Sequence, residues 1–468
     1  MKKFFSFVIG MQRWVSFLFL SFLLFIILLI MLVFVSMLIS APANAYLPID
    51  RIRAIWLFII SLVGILPGAI AGIYYWRSYY RALGQLSAAA LSIRLYPEEF
   101  GEIDYTLVTR LFQDCQEVRL YPLPGGFSGS LVFNVDSQDL QRMRQRPMIL
   151  KLGPRRKIEA EEQNYHTFVE PYIGNTVIFK GAEYERDRGA ILFTYASISR
   201  GKALTFEEFY SDVERKTADN VVAVIEELFQ NALQPWLEGA QPNPHSRLYQ
   251  TYNLAEDWEE IRQTVRDLGF TLGADYFDCL RRRVPNPLKE AQEWFKVRRD
   301  WESVTRDTIV HGDLNSRNIL IDSNRNVFVI DFARTEWSHL LRDFCKLEAE
   351  IKFCLTRLHC DDDIEQAIAL EERLLLAANG EPFTDLESLL NINEVENTDK
   401  RLERARRSVI ALRRIASRSM GLQVTGPAKQ YYLSLLHYTL DAVRYEQCDR
   451  NSKLYALISA SLLCRALR

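Results

Sequence analysis

The chain has 468 residues, with 57 Lys and Arg against 59 Asp and Glu and a formal net charge of -2. That length allows two or three domains, and the balanced charge, with no basic patch interleaved with aromatics, argues against nucleic acid as a partner. Seven scattered cysteines, with no Cys-x-x-Cys and no metal-ligand spacing, favour reduced thiols in a cytosolic domain over a disulfide framework.

In chain order, the first feature is apolar. No residue from Trp14 to Ile49 is charged, and Val15–Ile39 would span roughly 37 Å as a helix, more than the roughly 30 Å of a hydrocarbon core. A second apolar run, Ala54–Trp76, is flanked by Arg51, Arg53, Arg77 and Arg81. The reading is a membrane hairpin within residues 1–80 (helices about 15–39 and 54–76), a linker at 81–100, and everything beyond on the cytoplasmic side of a bacterial inner or plasma membrane. Ala43-Asn44-Ala45 resembles a signal-peptide cleavage site, but the apolar stretch is far longer than a signal core. Gly64, Gly68 and Gly72 repeat a small-xxx-small spacing, which could pack against the first helix or join two copies in a homo-oligomer; glycine is also simply common in membrane helices.

Beyond the linker the hydrophobic period changes. A short helix is predicted at Asp104–Gln113, then strands at "EVRLYPL", "SLVFNV" and "PMILKLG". "KIEAEEQNYHTFVEPYI" reads as an amphipathic helix with Ile158, Tyr165, Phe168 and Tyr172 on one face. Two further strands, "NTVIFKGAEYE" and "GAILFTYA", follow. The rest reads as helical, with strand signals returning only at 319–331. The plan is α+β: a β-rich N-lobe over 101–200 and a helical C-lobe over 201–468 that carries the loop 311–331.

That loop, "HGDLNSRNILIDSNRNVFVID", holds the strongest chemical signal. A hairpin would bring Asn318, before "ILI", and Asp331, after "VFVI", to the same end, where two oxygen ligands suit Mg²⁺. Asp313 on the loop before it could take a proton from an attacking hydroxyl. Upstream, "PGGFSG" places Gly125, Gly126, Ser128 and Gly129 between two strands, where backbone N–H groups can approach phosphate. Lys151 is a lone cation in an apolar strand and requires an anionic partner. Glu161 continues the apolar face of the next helix and is the preferred partner; Glu162 is the alternative. Asp322, Asn324 and Asn326 read as turn residues.

"HGDLNSRNIL…VIDFA" resembles the catalytic loop and metal segment of the aminoglycoside phosphotransferase and choline kinase-like group, relatives of protein kinases. The following "RDFCKLEAE" is similar to a bacterial branch known as a ternary complex associated phosphotransferase domain. The resemblance covers about residues 100–460. It implies a bilobal protein kinase-like fold with ATP and Mg²⁺ as cofactors. Asp313 would be the catalytic base and Asn318 and Asp331 the metal ligands. Lys151, paired with Glu161, would hold the ATP phosphates. The backbone near Tyr195 and Ala196 would meet adenine, and His311 and Asp343 would brace the loop. Gly312 stands where protein kinases carry Arg, Ala333 replaces the Gly of Asp-Phe-Gly, and no Ala-Pro-Glu follows. These departures favour an unusual or small-molecule acceptor, whose identity the sequence leaves open. The expected function is a membrane-anchored phosphotransferase; the alternative is a non-catalytic nucleotide- or partner-binding module. Helices between about 202 and 305 are expected to form much of the acceptor-site wall, and the basic run 401–418 to be a solvated face, with a contact for anionic lipid or a partner as the alternative.

Overall fold

A computed structural model of the chain describes residues 92–94, 101–123, 130–173, 177–195, 203–212, 217–254, 257–376, 399–421, 424 and 426–468. The expectation of a membrane hairpin is not upheld: among the described residues no helix is long and apolar enough to cross a membrane. The runs at 15–39 and 54–76, with Gly64, Gly68 and Gly72, lie outside the described residues.

The N-lobe is a six-stranded sheet ordered β1-β2-β3-β4-β6-β5. Its strands are β1 (Ser92–Arg94), β2 (Cys115–Pro122), β3 (Leu131–Asp139), β4 (Met148–Pro154), β5 (Val177–Glu185) and β6 (Arg188–Tyr195). All pairs are antiparallel except β1 with β2. Helix α1 (Glu102–Leu111) covers one face. There Leu107 and Val108 meet Phe133, Leu150, Leu152 and Leu192 in a separate small core. Ile149, Ile191 and Phe193 project from the opposite face into the main core shared with the helical lobe. Strand β4 is therefore apolar on both faces, and Lys151, which alternates with Leu150 and Leu152, points away from α1.

Helix α2 (Arg155–Asn164) follows β4 directly and runs on into a wide π turn at Tyr165–Val169. Ile158, Glu161, Tyr165 and Val169 share its buried side, the i, i+3, i+4 stripe that turns a helix toward a core.

The C-lobe is less purely helical than its sequence predicts. Strand β11 (Ser303–Val310) lies between β8 (Gln241–Ser246) and β14 (Glu336–His339), and β9 (Tyr276–Cys279) forms a hairpin with β10 (Arg282–Pro285). Strand β8, "QPNPHS", carries two prolines and sits at the sheet edge, the position that tolerates a missing N–H. The expected hairpin is present as β12 (Ile319–Ile321) with β13 (Val327–Val329); β12 also pairs with β7 (Leu204–Thr205).

The basic run 401–418 is not simply a solvated face. It forms helix α11 (Lys400–Met420), in which Arg404 and Arg413 are buried. Arg413 makes a two-pronged ion pair with Glu348, at 3.0 and 2.6 Å, and neither side chain is exposed. Tyr431, on α12 (Pro427–Ala442), donates to the same carboxylate at 2.6 Å. Beside it Lys352 meets Glu371 at 2.6 Å, and Tyr455, on α13 (Arg450–Leu467), donates to Glu371 at 2.9 Å. Arg413 and Lys352 thus have carboxylate partners, as their desolvation demands, while Arg404 donates to the Tyr210 carbonyl.

Candidate functional site

Lys151 Nζ lies 2.8 Å from Glu161 Oε2 and 2.6 Å from Asp331 Oδ1. One ammonium thus serves two carboxylates, one from α2 and one from the end of β13. Glu162, one residue on and about 100° round the helix, instead accepts the Tyr184 hydroxyl. The electrostatics follow from burial. Desolvation pushes the fully buried Glu161 up to about 7 despite Lys151. Burial opposes the charge on Lys151, but the two carboxylates outweigh it and raise its value. Asp331 is held below the usual carboxylate range: burial works against ionisation, and the Lys151 charge overcomes it.

Asp331 has φ 70°, the left-handed region, and leads into a tight turn at Phe332–Arg334. Aspartate is among the few residues that visit this region with modest strain. Asn164, the last residue of α2, donates to the carbonyls of Phe332 and Ala333 and so pins this turn.

The loop 311–318 is built from short polar contacts. Asp343, at the start of helix α9 (Arg342–Ala349), accepts the backbone N–H groups of His311 at 2.6 Å and Gly312 at 3.0 Å. His311 Nε2 is 3.0 Å from the Ile330 carbonyl, which the imidazole reaches as a donor. Gly312 has φ +77°, and a methyl group there would overlap the Arg334 carbonyl. The Asn315 side chain accepts from the N–H groups of Arg317 and Asn318. Asn318 donates its side-chain amide to the Asp313 carbonyl at 2.8 Å, and its own carbonyl accepts from Ile330. The register Ile319↔Val329 thereby sets Asn318 and Asp331 at one end of the hairpin. Asp322 closes the other end, accepting from Asn324 and Asn326.

Asp313, Asn318, Lys151, Glu161 and Asp331 all line one open cleft of about 1830 Å³ between the sheet and the helices. Val132, Ile149, Val177 and Phe193 line it from the sheet, and Leu320 and Ile330 from the hairpin. Gly125, Gly126, Ser128, Gly129 and Ala196 lie outside the described residues, and Tyr195 ends β6. Among the described residues of the region 202–305, Ala203, Thr205, Glu207, Glu208, Ser211 and Glu260 reach the cleft. Trp236 and Trp258 pack in the core instead, so among the described residues the expected helical wall reduces to the start of the lobe and Glu260.

Sequence reading missed three contributors. Asn164 carried no signal beyond its place at a helix end. Arg317 pairs with Glu207 at 2.6 Å beneath the loop. Lys346, on α9, lies 3.8 Å from Asp313 and lines the cleft; it falls within the "RDFCKLEAE" run that carries the family resemblance, but nothing in that run ties it to Asp313.

The sequence profile of the family described as ternary complex associated domain 9 matches residues 115–269 and 257–444, more than half of the chain. The chain belongs to this family. The match takes in β2 through α12, with the loop, the hairpin and Lys346. No curated protein matches this family member. Solved structures similar to it include a thermostable aminoglycoside phosphotransferase in complex with ADP and hygromycin B, 13% identical, covering 76% of this chain and 97% of that one, with a TM-score of 0.38. An ethanolamine kinase from Plasmodium vivax is 12% identical over 75% of this chain and 83% of its own, with a TM-score of 0.30. A choline kinase from Streptococcus pneumoniae is 12% identical over 65% and 96%, also at 0.30. Likenesses this distant carry no argument of their own, and the functional reading rests on the chain's own residues.

Proposed function

We propose that the protein is an ATP-dependent phosphotransferase. The observation that carries this reading is the convergence in one cleft of a buried lysine shared by two carboxylates and a braced loop aspartate. Lys151 would meet the ATP phosphates, with Glu161 holding it in place. The apolar side chains of Ile149, Val132, Leu320 and Ile330 suit the two faces of a purine.

Asn318 and Asp331 fit a divalent cation such as Mg²⁺. Because the Asn318 nitrogen is committed to a carbonyl, its side-chain oxygen is left as the coordinating atom. Among the described residues no group of three or more His, Cys, Asp or Glu is arranged to hold a metal, so the ion would draw its other ligands from phosphate and water. When bound, it would neutralise phosphate charge. The chain's own residues would do the rest: Lys151 orients the nucleotide, and Asp313 accepts the proton of the acceptor hydroxyl (or amine).

The test uses the full chain. Nucleotide binding with and without Mg²⁺, and ATP turnover, are measured for the parent, Asp313→Ala and Asp331→Ala. The expected result is Mg-dependent binding and turnover in the parent, binding with only residual turnover in Asp313→Ala, and loss of the Mg dependence in Asp331→Ala. Tight binding with no parental turnover on a broad acceptor panel would favour a non-catalytic module, and equal turnover in Asp313→Ala would remove the assigned base.

A further inference from the structure

The loop brings no cation of its own to Asp313. Gly312 precedes it, Leu314 and Asn315 follow, and Arg317 turns away to Glu207. A cation reaches the aspartate from another element: Lys346 of α9, with Nζ 3.8 Å from Asp313 Oδ1. The Lys346 side chain is only 12% exposed, donates to the Tyr445 hydroxyl at 2.6 Å, and lies over the rings of Tyr438 and Tyr445 at 5.6 and 4.9 Å. Tyr445 in turn donates to Asp441. A lysine this enclosed needs anions around it. Burial works against its charge, but the Tyr445 oxygen that accepts from it and the carboxylates of Asp313, Asp441 and Glu350 outweigh burial and raise its value well above the ordinary one. The ammonium is therefore charged across the neutral range.

Lys346, Tyr445 and Asp441 all line the same cleft as Asp313. Glu348, Arg413, Lys352 and Glu371 form a separate charge network in the C-lobe core.

We propose that Lys346 is a positioning residue for Asp313, anchored by Tyr445 and Asp441, that holds the carboxylate where the acceptor meets the phosphoryl group. The inference rests on the phosphotransferase reading above. In the transfer, the acceptor oxygen forms a bond to the γ-phosphorus and its proton passes to Asp313. The bond from the γ-phosphorus to the β,γ-bridging oxygen breaks, and ADP leaves with the electron pair. Lys346 makes and breaks no bond. It restrains the carboxylate, and a displacement of about 1 Å in such a group costs on the order of 10²-fold in rate.

The experiment measures Mg-ATP hydrolysis, with water as the acceptor, and nucleotide affinity. Lys346→Met is expected to lower kcat roughly 10²-fold, with the KM for ATP and the nucleotide Kd within about two-fold of the parent, because Lys151 and Asp331 hold the nucleotide. Lys346→Arg retains the charge and is expected to recover much of the loss. Lys346→Met leaves the buried Glu350 with Ser316 and without a lysine, while Asp441 keeps Arg444 at 2.6 Å; if it fails to fold, Tyr445→Phe decides. That variant keeps the ammonium and removes its anchor, with a kcat several-fold lower and Kd unchanged. The double variant Asp313→Ala/Lys346→Met is expected to be no slower than Asp313→Ala, since positioning an absent carboxylate contributes nothing.

Parental kcat in Lys346→Met, or in Tyr445→Phe where that variant decides, would overturn the inference. So would additive losses in the double variant, or a parallel loss of nucleotide affinity. A parent without turnover, with water or with any acceptor of the panel above, sinks the phosphotransferase reading, and this inference with it. Turnover that Asp313→Ala abolishes and Lys346→Met leaves intact sinks this inference alone.

Discussion

Asn164 donates its side-chain amide to the carbonyls of Phe332 and Ala333, at 3.0 and 3.2 Å. The contact ties the helix that carries Glu161 to the turn that follows Asp331. That turn leaves from a left-handed residue, a conformation that persists where neighbours hold it. Asn164→Leu is expected to cost about 1–2 kcal/mol of stability and to weaken Mg-ATP binding several-fold. Denaturant unfolding and nucleotide titration read the two effects. Unchanged affinity would mean that Asp331 keeps its place without the amide.

Lys151 neutralises two carboxylates at once. Lys151→Met leaves Glu161 and Asp331 without their cation, at a cost of about 3–5 kcal/mol, and is expected to abolish nucleotide binding. The cost should be larger at pH 8 than at pH 5.5, because Glu161 can take up a proton at the lower pH. Adding Glu161→Gln is expected to restore most of the stability and none of the binding. Unfolding curves and nucleotide titrations of the single and double variants separate the two roles.

Gly312 and Gly269 both have positive φ, at +77° and +98°. Only Gly312 faces an obstacle, the Arg334 carbonyl; at Gly269 a methyl group meets nothing. Gly269→Ala is expected to cost about 1–2 kcal/mol from backbone strain alone. Gly312→Ala adds a collision with backbone and should cost more than about 3 kcal/mol or prevent folding. Thermal melts of the two variants make the comparison, and equal costs would mean that the loop shifts freely.

Two histidines give the fold an acid limit. Burial pushes His339 down to about 4 and His437 down to about 4. His339 sits between the Tyr252 hydroxyl at 2.6 Å and the Gln430 side-chain oxygen at 3.2 Å, and His437 donates to the Tyr252 carbonyl at 2.9 Å. In the unfolded chain both titrate near 6.5. Each therefore stabilises the fold fully above that value, and the contribution is lost as pH falls from about 6.5 toward 4. The loss is on the order of 3 kcal/mol for each. Glu161 has the opposite sign: its raised value favours the fold at low pH, and that contribution is lost as pH rises from about 4.5 to 7. Unfolding free energy is expected to fall between pH 6.5 and 4.5, and to fall less steeply in His339→Gln. An equally steep decline in that variant would place the acid limit elsewhere.

The sheet lobe and the hairpin were legible because their signals are local. Alternation in "PMILKLG" marks a strand buried on both faces, and Asp322 with its following Asn residues marks a turn. Strand β11, "SVTRDTIV", was legible in principle through its β-branched residues, but its partner β8 contains two prolines and reads as a loop. On α11, Arg404 and Arg413 look like members of a basic surface; their burial depends on Tyr210 and Glu348, which lie far away in sequence.

The sequence by itself determined the order and spacing of Lys151, Asp313, Asn318 and Asp331, because strand period and turn chemistry act within a few residues. It could not choose between Glu161 and Glu162, which differ only by a turn of the helix face until Tyr184 and Asp331 are in place. Nor could it single out Lys346, whose partner Tyr445 arrives from the end of another helix. The tertiary structure decided both, since the environment of a buried charge is set by segments distant in the chain and the energy of that charge by which of them reach it.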